Sequence, residues 1–205
     1  AWYRTMGTEK SPGPKIFCLS GRVRRPGNYE AELGKITFRD LIFGEEYGQG
    51  LLEDGRTVKA ILPAGASAPM LPASALDTPL DYESVQAAGS MLGSASIIVL
   101  DDTVDIVWAA YKMIRFFQHE SCGKCTPCRE GTYWLRRVYE RIVAGRGRPG
   151  DAELLESIAR QMAGKTLCPL GDFATSPVLS SLKHFRKEYE AYLRRTIEAP
   201  VGAPA

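Results

Sequence analysis

No stretch of this 205-residue chain approaches the roughly 18 consecutive apolar residues that a membrane-spanning helix needs, so no span across a bilayer is expected. A surplus of one charge is missing too. The 26 basic residues stand against 24 acidic ones, a net charge of +2, which is too balanced to point to nucleic acid or an anionic membrane as partner. No G-x-G-x-x-G follows a strand pattern, so no dinucleotide site is expected within these residues. The first residues, Ala1-Trp2-Tyr3-Arg4, lack the basic region, apolar stretch and small-residue cleavage site of a secretory leader, and a cytosolic, reducing context is expected. Internal repeats are also absent. What remains is a globular composition, 44% apolar and 24% charged, in a chain long enough to bury a core in one large domain or two small ones.

The five cysteines carry the most information. An odd count does not make a disulfide framework, and the spacing is uneven: Cys18 stands alone, Cys122, Cys125 and Cys128 form a triplet, and Cys168 follows 40 residues later. A 4Fe-4S cluster has four irons, each needing one thiolate. Three sulfurs at C-x2-C-x2-C on one loop can reach three corners, and the fourth ligand must come from elsewhere in the fold; Cys168-Pro169 is placed to supply it. Pro169 stiffens the chain beside that ligand, and Gly123 lets the backbone come close to inorganic sulfide. Zinc is the alternative, although structural zinc sites usually draw their ligands as two pairs, and redox-active thiols are a third option. Four thiolates would leave no iron open to substrate, which confines such a cluster to electron transfer. Lys124 and Arg129 either favour the reduced, more anionic cluster or are ordinary solvated side chains. His119 reads as a helix C-terminal cap, Cys18 as a buried structural thiol, and His184 receives no functional role.

Glycine and proline divide the chain more clearly than charge does. Residues 15–23 (KIFCLSGRV) read as a strand, Arg25-Pro26-Gly27-Asn28 as a turn, and Tyr29 to Leu33 as the return strand. Thr37-Phe38-Arg39-Asp40 has the form of a capping box opening a short helix that stops at Gly44, and Val58 to Leu62 is a further strand. Strand, strand, helix, strand is the order of a β-grasp. Residues 60–96 are rich in Pro, Gly, Ala and Ser, with little periodicity. A short strand, Ile97 to Leu100, leads to a helix capped by Asp102 or Thr103. Further helices are expected over about 129–144, from the Asp151 cap to Gly164, and from a Ser176 cap with Pro177 in first position. The fold class is therefore α+β: a small β-grasp domain followed by a four-helix bundle carrying the cysteine site. The expected organisation is a lead-in over 1–14, the β-grasp over 15–75, a linker with a short strand over 76–102, the bundle over 103–198, and a mobile tail over 199–205.

The segment ESCGKCTPCREG, residues 120–131, together with Leu167-Cys168-Pro169-Leu170-Gly171-Asp172, strongly resembles the C-terminal part of the flavin-bearing F subunit of NADH:quinone oxidoreductase, respiratory complex I. Diaphorase subunits of NAD-linked hydrogenases and formate dehydrogenases are similar. The likeness covers almost the whole chain, and its first half is similar to the family's ubiquitin-like soluble-ligand-binding β-grasp (SLBB) domain. The resemblance implies that Cys122, Cys125, Cys128 and Cys168 ligate a 4Fe-4S cluster that takes electrons from FMN and relays them toward quinone. It implies a 2Fe-2S partner subunit and a large iron-sulfur subunit as neighbours, no nucleic acid, no direct membrane insertion, and a cytoplasmic place at the inner face of the cell membrane. In the family FMN and NADH sit on a preceding domain with a glycine-rich phosphate loop. This sequence has no such loop, so it is expected to be the C-terminal portion of such a subunit, with no NADH dehydrogenase activity of its own and no catalytic residue. The β-grasp part, which shows no nucleophile or acid/base pair, is expected to serve docking and spacing. Arg22, Arg24 and Arg25 are expected to form a solvated hairpin edge.

Overall fold

The computed structural model describes residues 2–198, and the expected tail over 199–205 lies outside the described residues. The chain divides into two compact units at residues 104 and 105.

The first unit is a five-stranded sheet with two short helices. Strand β1 (Pro14–Gly21) and strand β2 (Gly27–Glu32) form the antiparallel hairpin, in register from Pro14 opposite Glu32 to Leu19 opposite Gly27. Thr37 caps helix α1 (Phe38–Phe43) through the capping box that the sequence predicts. Its hydroxyl accepts from the Asp40 amide at 3.1 Å, and its amide donates to the Asp40 carboxylate at 2.9 Å. Strands β3 (Val58–Ala66), β4 (Leu71–Pro72) and β5 (Ser96–Asp101) complete a sheet of order β2-β1-β5-β3-β4. Strand β5 runs parallel to β1 and antiparallel to β3, so it lies in the middle of the sheet. Phe17 and Leu19 of β1, Ile97 and Val99 of β5 and Leu41 and Ile42 of α1 are buried in one core, following the two-residue period of the strands.

Three expectations about this unit change. The stretch assigned to a linker over 76–102 contains helix α2 (Tyr82–Ala87), capped by Asp81, and ends in the central strand rather than in a lead to the helices. A strand buried on both edges by distant partners leaves no local trace of those partners in sequence. The lead-in over 1–14 packs onto this unit: the Thr8 and Ser11 hydroxyls both donate to the Glu83 carboxylate at 2.5 Å, and the Gly7 amide donates to Glu32 at 3.1 Å. Cys18 is half-buried rather than buried, because the alternation of β1 turns it away from the face that carries Phe17 and Leu19. The arginine strip is largely neutralised in place. Arg22 donates to the buried Asp101 at 2.9 Å and to Glu53 at 2.8 Å, and Arg24 pairs with Asp54 at 2.5 Å. Burial would push the Asp101 carboxyl up, but Thr103 and Arg22 outweigh it and hold it below its ordinary value.

The second unit is helical: α3 (Ile106–Glu120), α4 (Thr126–Val143), α5 (Asp151–Met162) and α6 (Pro169–Glu198). Helix α3 packs against α4 and α6, and α5 packs against the same two helices. Ile114, Leu135, Leu155 and Val178 are fully buried between them. At the centre the Tyr139 hydroxyl lies 2.7 Å from that of Tyr189, which lies 2.6 Å from the Ser181 hydroxyl. Burial pushes the Tyr189 phenol up to about 12, so it stays a neutral hydrogen-bonding group.

The helix boundaries differ from expectation in ways that matter for the cysteines. Asp105, rather than Asp102 or Thr103, caps α3, accepting from the Trp108 amide at 2.9 Å, because Asp101 already engages Thr103. Helix α4 begins at Thr126 rather than near Arg129, so Cys128 lies in its first turn. Helix α6 begins at Pro169, passes through Pro177, and is interrupted by a non-helical conformation at Phe185. The Ser176-Pro177 pair imitates a helix start, but Pro169 offers the same pre-set φ eight residues earlier.

Gly150, with φ of +87°, caps α5, and Asp151 is its first residue. Burial would raise the Asp151 carboxyl, but the Arg141 guanidinium, bidentate to it, and the Arg148 amide at 2.9 Å hold it below its ordinary value. A depressed carboxyl contributes its stability above its unfolded pKa of about 4 and loses it as pH falls through the lower folded value. Asp151→Asn is therefore expected to lower stability by about 2 kcal/mol at pH 7, since Arg141 keeps partial contact with water. The deficit should shrink below about pH 4, where the wild-type carboxyl also protonates. Thermal unfolding between pH 3 and 7 measures it, and a constant deficit across that range would count against the ion pair as its source.

Candidate metal centre

All four candidate ligands lie in the helical unit. Cys122 is in the loop after α3 and is exposed, Cys125 is the N-cap residue of α4 and half-buried, and Cys128 is in the first turn of α4 and only 6% exposed. Cys168 is exposed and immediately precedes Pro169, the first residue of α6. Three of the four thiols thus stand at two helix starts, where unpaired amides and the helix dipole favour negative charge. Burial pushes the Cys128 thiol up; the Ser121 hydroxyl, 3.2 Å from its sulfur, pulls it down, and negative charge on Cys125, Cys168 and Cys122 raises it.

Hydrogen bonds shape the loops around the thiols. Gly123 has a φ of +73°, and the only atom near a Cβ placed there is Arg129 Cδ at 3.7 Å, so the backbone opens onto space above the loop. Arg129 donates to the Gly123 carbonyl at 3.0 Å and to Glu130 at 2.9 Å. This fastens the cysteine loop to α4 and offsets the arginine's charge, a positioning role beyond the two weighed from sequence. Lys124 is exposed. On the Cys168 side, the Thr166 hydroxyl donates to the Cys168 carbonyl at 2.9 Å, and the Gly164 amide donates to Asp172 at 2.7 Å. The missing side chain of Gly171 admits Thr166, whose Cγ2 would lie 2.4 Å from a Cβ there. Sequence reasoning gave Ser121, Thr166 and Asp172 no role, although Ser121 and Asp172 stand within the motifs that carry the resemblance and Thr166 lies two residues from Cys168. His119, exposed at the end of α3, lies 2.9 Å from a Glu120 carboxylate oxygen and so pairs with its neighbour.

The donor set fits an iron-sulfur cluster. Among the described residues no three His, Cys, Asp or Glu side chains are gathered closely enough to hold a single ion. Four cysteines would supply one thiolate for each iron of a 4Fe-4S cluster. No described helix is long and apolar enough to cross a membrane.

Residues 108–192 match the family model described as the NADH-ubiquinone oxidoreductase-F iron-sulfur binding region. Over 193 residues, 94% of this chain, the sequence is 50% identical to the NADH-quinone oxidoreductase F 2 subunit of Rhizobium meliloti, covering 45% of that protein. It is 51% identical over 192 residues to the NADH-quinone oxidoreductase F subunit of Mycobacterium bovis, covering 94% of this chain and 42% of that one. The chain thus spans less than half the length of these relatives. Among solved structures, a NAD+-reducing [NiFe]-hydrogenase in the H2-reduced state matches with a TM-score of 0.83 and 36% identity, over 94% of this chain and 31% of that one. The cysteine site thus lies inside a segment that matches the F-subunit iron-sulfur binding region, and the similarity to NADH-quinone oxidoreductase F subunits extends across the sheet unit.

Proposed function

We propose that the chain is an electron-transfer module of an NADH:quinone oxidoreductase, in which Cys122, Cys125, Cys128 and Cys168 hold a 4Fe-4S cluster. The observation that carries this is that all four cysteines, drawn from a loop and two helix starts, lie inside the segment matching the iron-sulfur binding region. The bound cluster supplies reversible one-electron transfer. Everything else falls to the chain. Four thiolates saturate the ligand positions and leave none for a substrate. The helix starts at Cys125 and Cys168 oppose the charge of an anionic site, and the Ser121 hydroxyl donates toward the Cys128 sulfur. Lys124 adds a cationic charge that favours the reduced form, while Arg129 fixes the loop.

The finer architecture belongs to the same proposal. The sheet order and the hairpin-helix-strand succession support a ubiquitin-like β-grasp of the SLBB type, used for docking and spacing, and the mutual packing of α3 to α6 supports a four-helix bundle. FMN and NADH would bind in the part of the F subunit that this chain does not cover, and electrons would pass on to a 2Fe-2S subunit and a large iron-sulfur subunit at the inner face of the membrane. The hydrogenase likeness supports a second placement of the same module, in an NAD-linked hydrogenase.

Anaerobic reconstitution of the chain with iron and sulfide is the test. The expected product is brown, holds about four irons per chain, and gives an EPR signal on reduction. A colourless protein that binds one zinc per chain would overturn the proposal.

A further inference from the structure

Four arginines of the helical unit, Arg137, Arg141, Arg146 and Arg148, line one cavity of about 320 Å³. Two stand on α4 and two on the loop Gly145-Arg146-Gly147-Arg148-Pro149-Gly150 that follows it. The loop is built rather than loose. Gly145 and Gly150 have φ of +68° and +87°, and a Cβ on the buried Gly147 would lie 2.7 Å from Leu193 of α6. The Arg146 amide donates to the Arg141 carbonyl at 2.8 Å, and the Arg148 amide to Asp151 at 2.9 Å. Arg146 and Arg148 are thereby presented on either side of a buried glycine.

Internal carboxylates do not use up the charge. Arg141 is spent on the buried Asp151, and Arg137 shares Glu140 with Arg136. The Arg146 and Arg148 side chains are exposed, and no described hydrogen bond or ion pair engages their guanidinium groups. Arginines at a helix C-terminus can serve merely to complement its dipole, but no described bond joins the guanidinium groups of these two to the final carbonyls of α4.

We propose that this cavity docks an acidic peptide segment of a partner protein. Guanidinium forks take carboxylates in pairs, which gives register as well as attraction. Phosphate would use the same forks, yet a phosphate cradle also needs free backbone amides. Those of Gly145, Arg146 and Arg148 are already committed to Ile142, Arg141 and Asp151. Among the described residues no aromatic side chain lines the cavity to stack a nucleotide base. The proposal is independent of the cluster, because none of these residues adjoins a cysteine.

The test uses the full chain and a fluorescein-labelled hexaglutamate peptide, followed by fluorescence anisotropy at about 50 mM salt, where screening is weak. The wild-type chain is expected to bind it, and Arg146→Ala with Arg148→Ala to weaken binding by about tenfold or more. Arg146→Lys with Arg148→Lys keeps the charge but loses the forks, and should weaken it about threefold. Lys10→Ala with Lys35→Ala removes the same charge from exposed sites of the sheet unit and should stay within about twofold of wild type. An equal loss in the two alanine pairs, or displacement of the peptide by inorganic phosphate at matched anion concentration, would overturn the proposal.

Discussion

Replacing Cys168 with alanine is expected to cut the iron retained per chain after reconstitution by about tenfold or more, because ligand loss costs at least what loss of a supporting contact does. The helices should survive the change. Cys168 is exposed and contributes no packing, and its place in the chain is set by neighbours: the Thr166 hydroxyl on its carbonyl, Asp172 on the Gly164 amide, and Pro169 starting α6. Iron analysis and visible absorption read the cluster, while far-ultraviolet circular dichroism reads the helices. Cys18→Ala is the control, since that thiol sits in the sheet unit. Full iron retention in Cys168→Ala would mean that another residue supplies the fourth ligand, and equal loss in Cys18→Ala would mean that the assay reads general damage.

A remote cysteine can serve a triplet 40 residues away because of how the helices are arranged. Helix α4 leaves the triplet, α5 returns, and α6 starts just after Cys168; α5 packs on both α4 and α6. Gly131 marks how closely α4 and α5 approach, since a Cβ there would lie 2.4 Å from the Met162 sulfur. On the proposed reading the ligand set is a product of helix packing, and its charge would be met at two helix starts. The same packing buries the Tyr139, Tyr189 and Ser181 hydroxyls together at the centre of the unit, each satisfied by another.

The iron-sulfur binding region was legible in the sequence through the cysteine spacing, because the chemistry of a cluster dictates residue type and spacing with little reference to the rest of the fold. Local signals also read true at the capping box of Thr37 and Asp40, where two side chains three residues apart complete each other's hydrogen bonds. The errors arose where a distant partner decides. Nothing within Ile97 to Leu100 announces that this strand runs parallel to β1, some 75 residues earlier, and antiparallel to β3. Ser176-Pro177 is a sound helix start in isolation, but α6 was already under way from Pro169. The Arg129 contact with the Gly123 carbonyl depended on a loop conformation that only Gly123's positive φ permits. The arginine cavity combines the end of α4 with a loop that composition alone marks as a mere breaker.

Gly21→Ala is expected to destabilise the sheet unit by about 3 kcal/mol or more, through backbone strain and overpacking together. Gly21 ends β1 with a φ of +91°, a conformation that side chains with a Cβ rarely adopt. A Cβ there would lie 2.3 Å from the Val99 carbonyl oxygen and 2.7 Å from its nitrogen. Those atoms belong to backbone and cannot swing aside as a side chain could. Val99 is held on both edges, opposite Gly21 in β1 and opposite Ile61 in β3, so relieving the clash means moving the central strand. For a unit of about one hundred residues the loss corresponds to a fall in Tm of about 15 °C. Gly55 supplies the comparison: its φ is +78°, but nothing lies within 4 Å of an added Cβ, so Gly55→Ala carries only the conformational cost, about 1 kcal/mol. Denaturant unfolding of the two variants separates strain from close approach. If Gly21→Ala fell no further than Gly55→Ala, the tight contact between β1 and β5 would not be what requires glycine at residue 21.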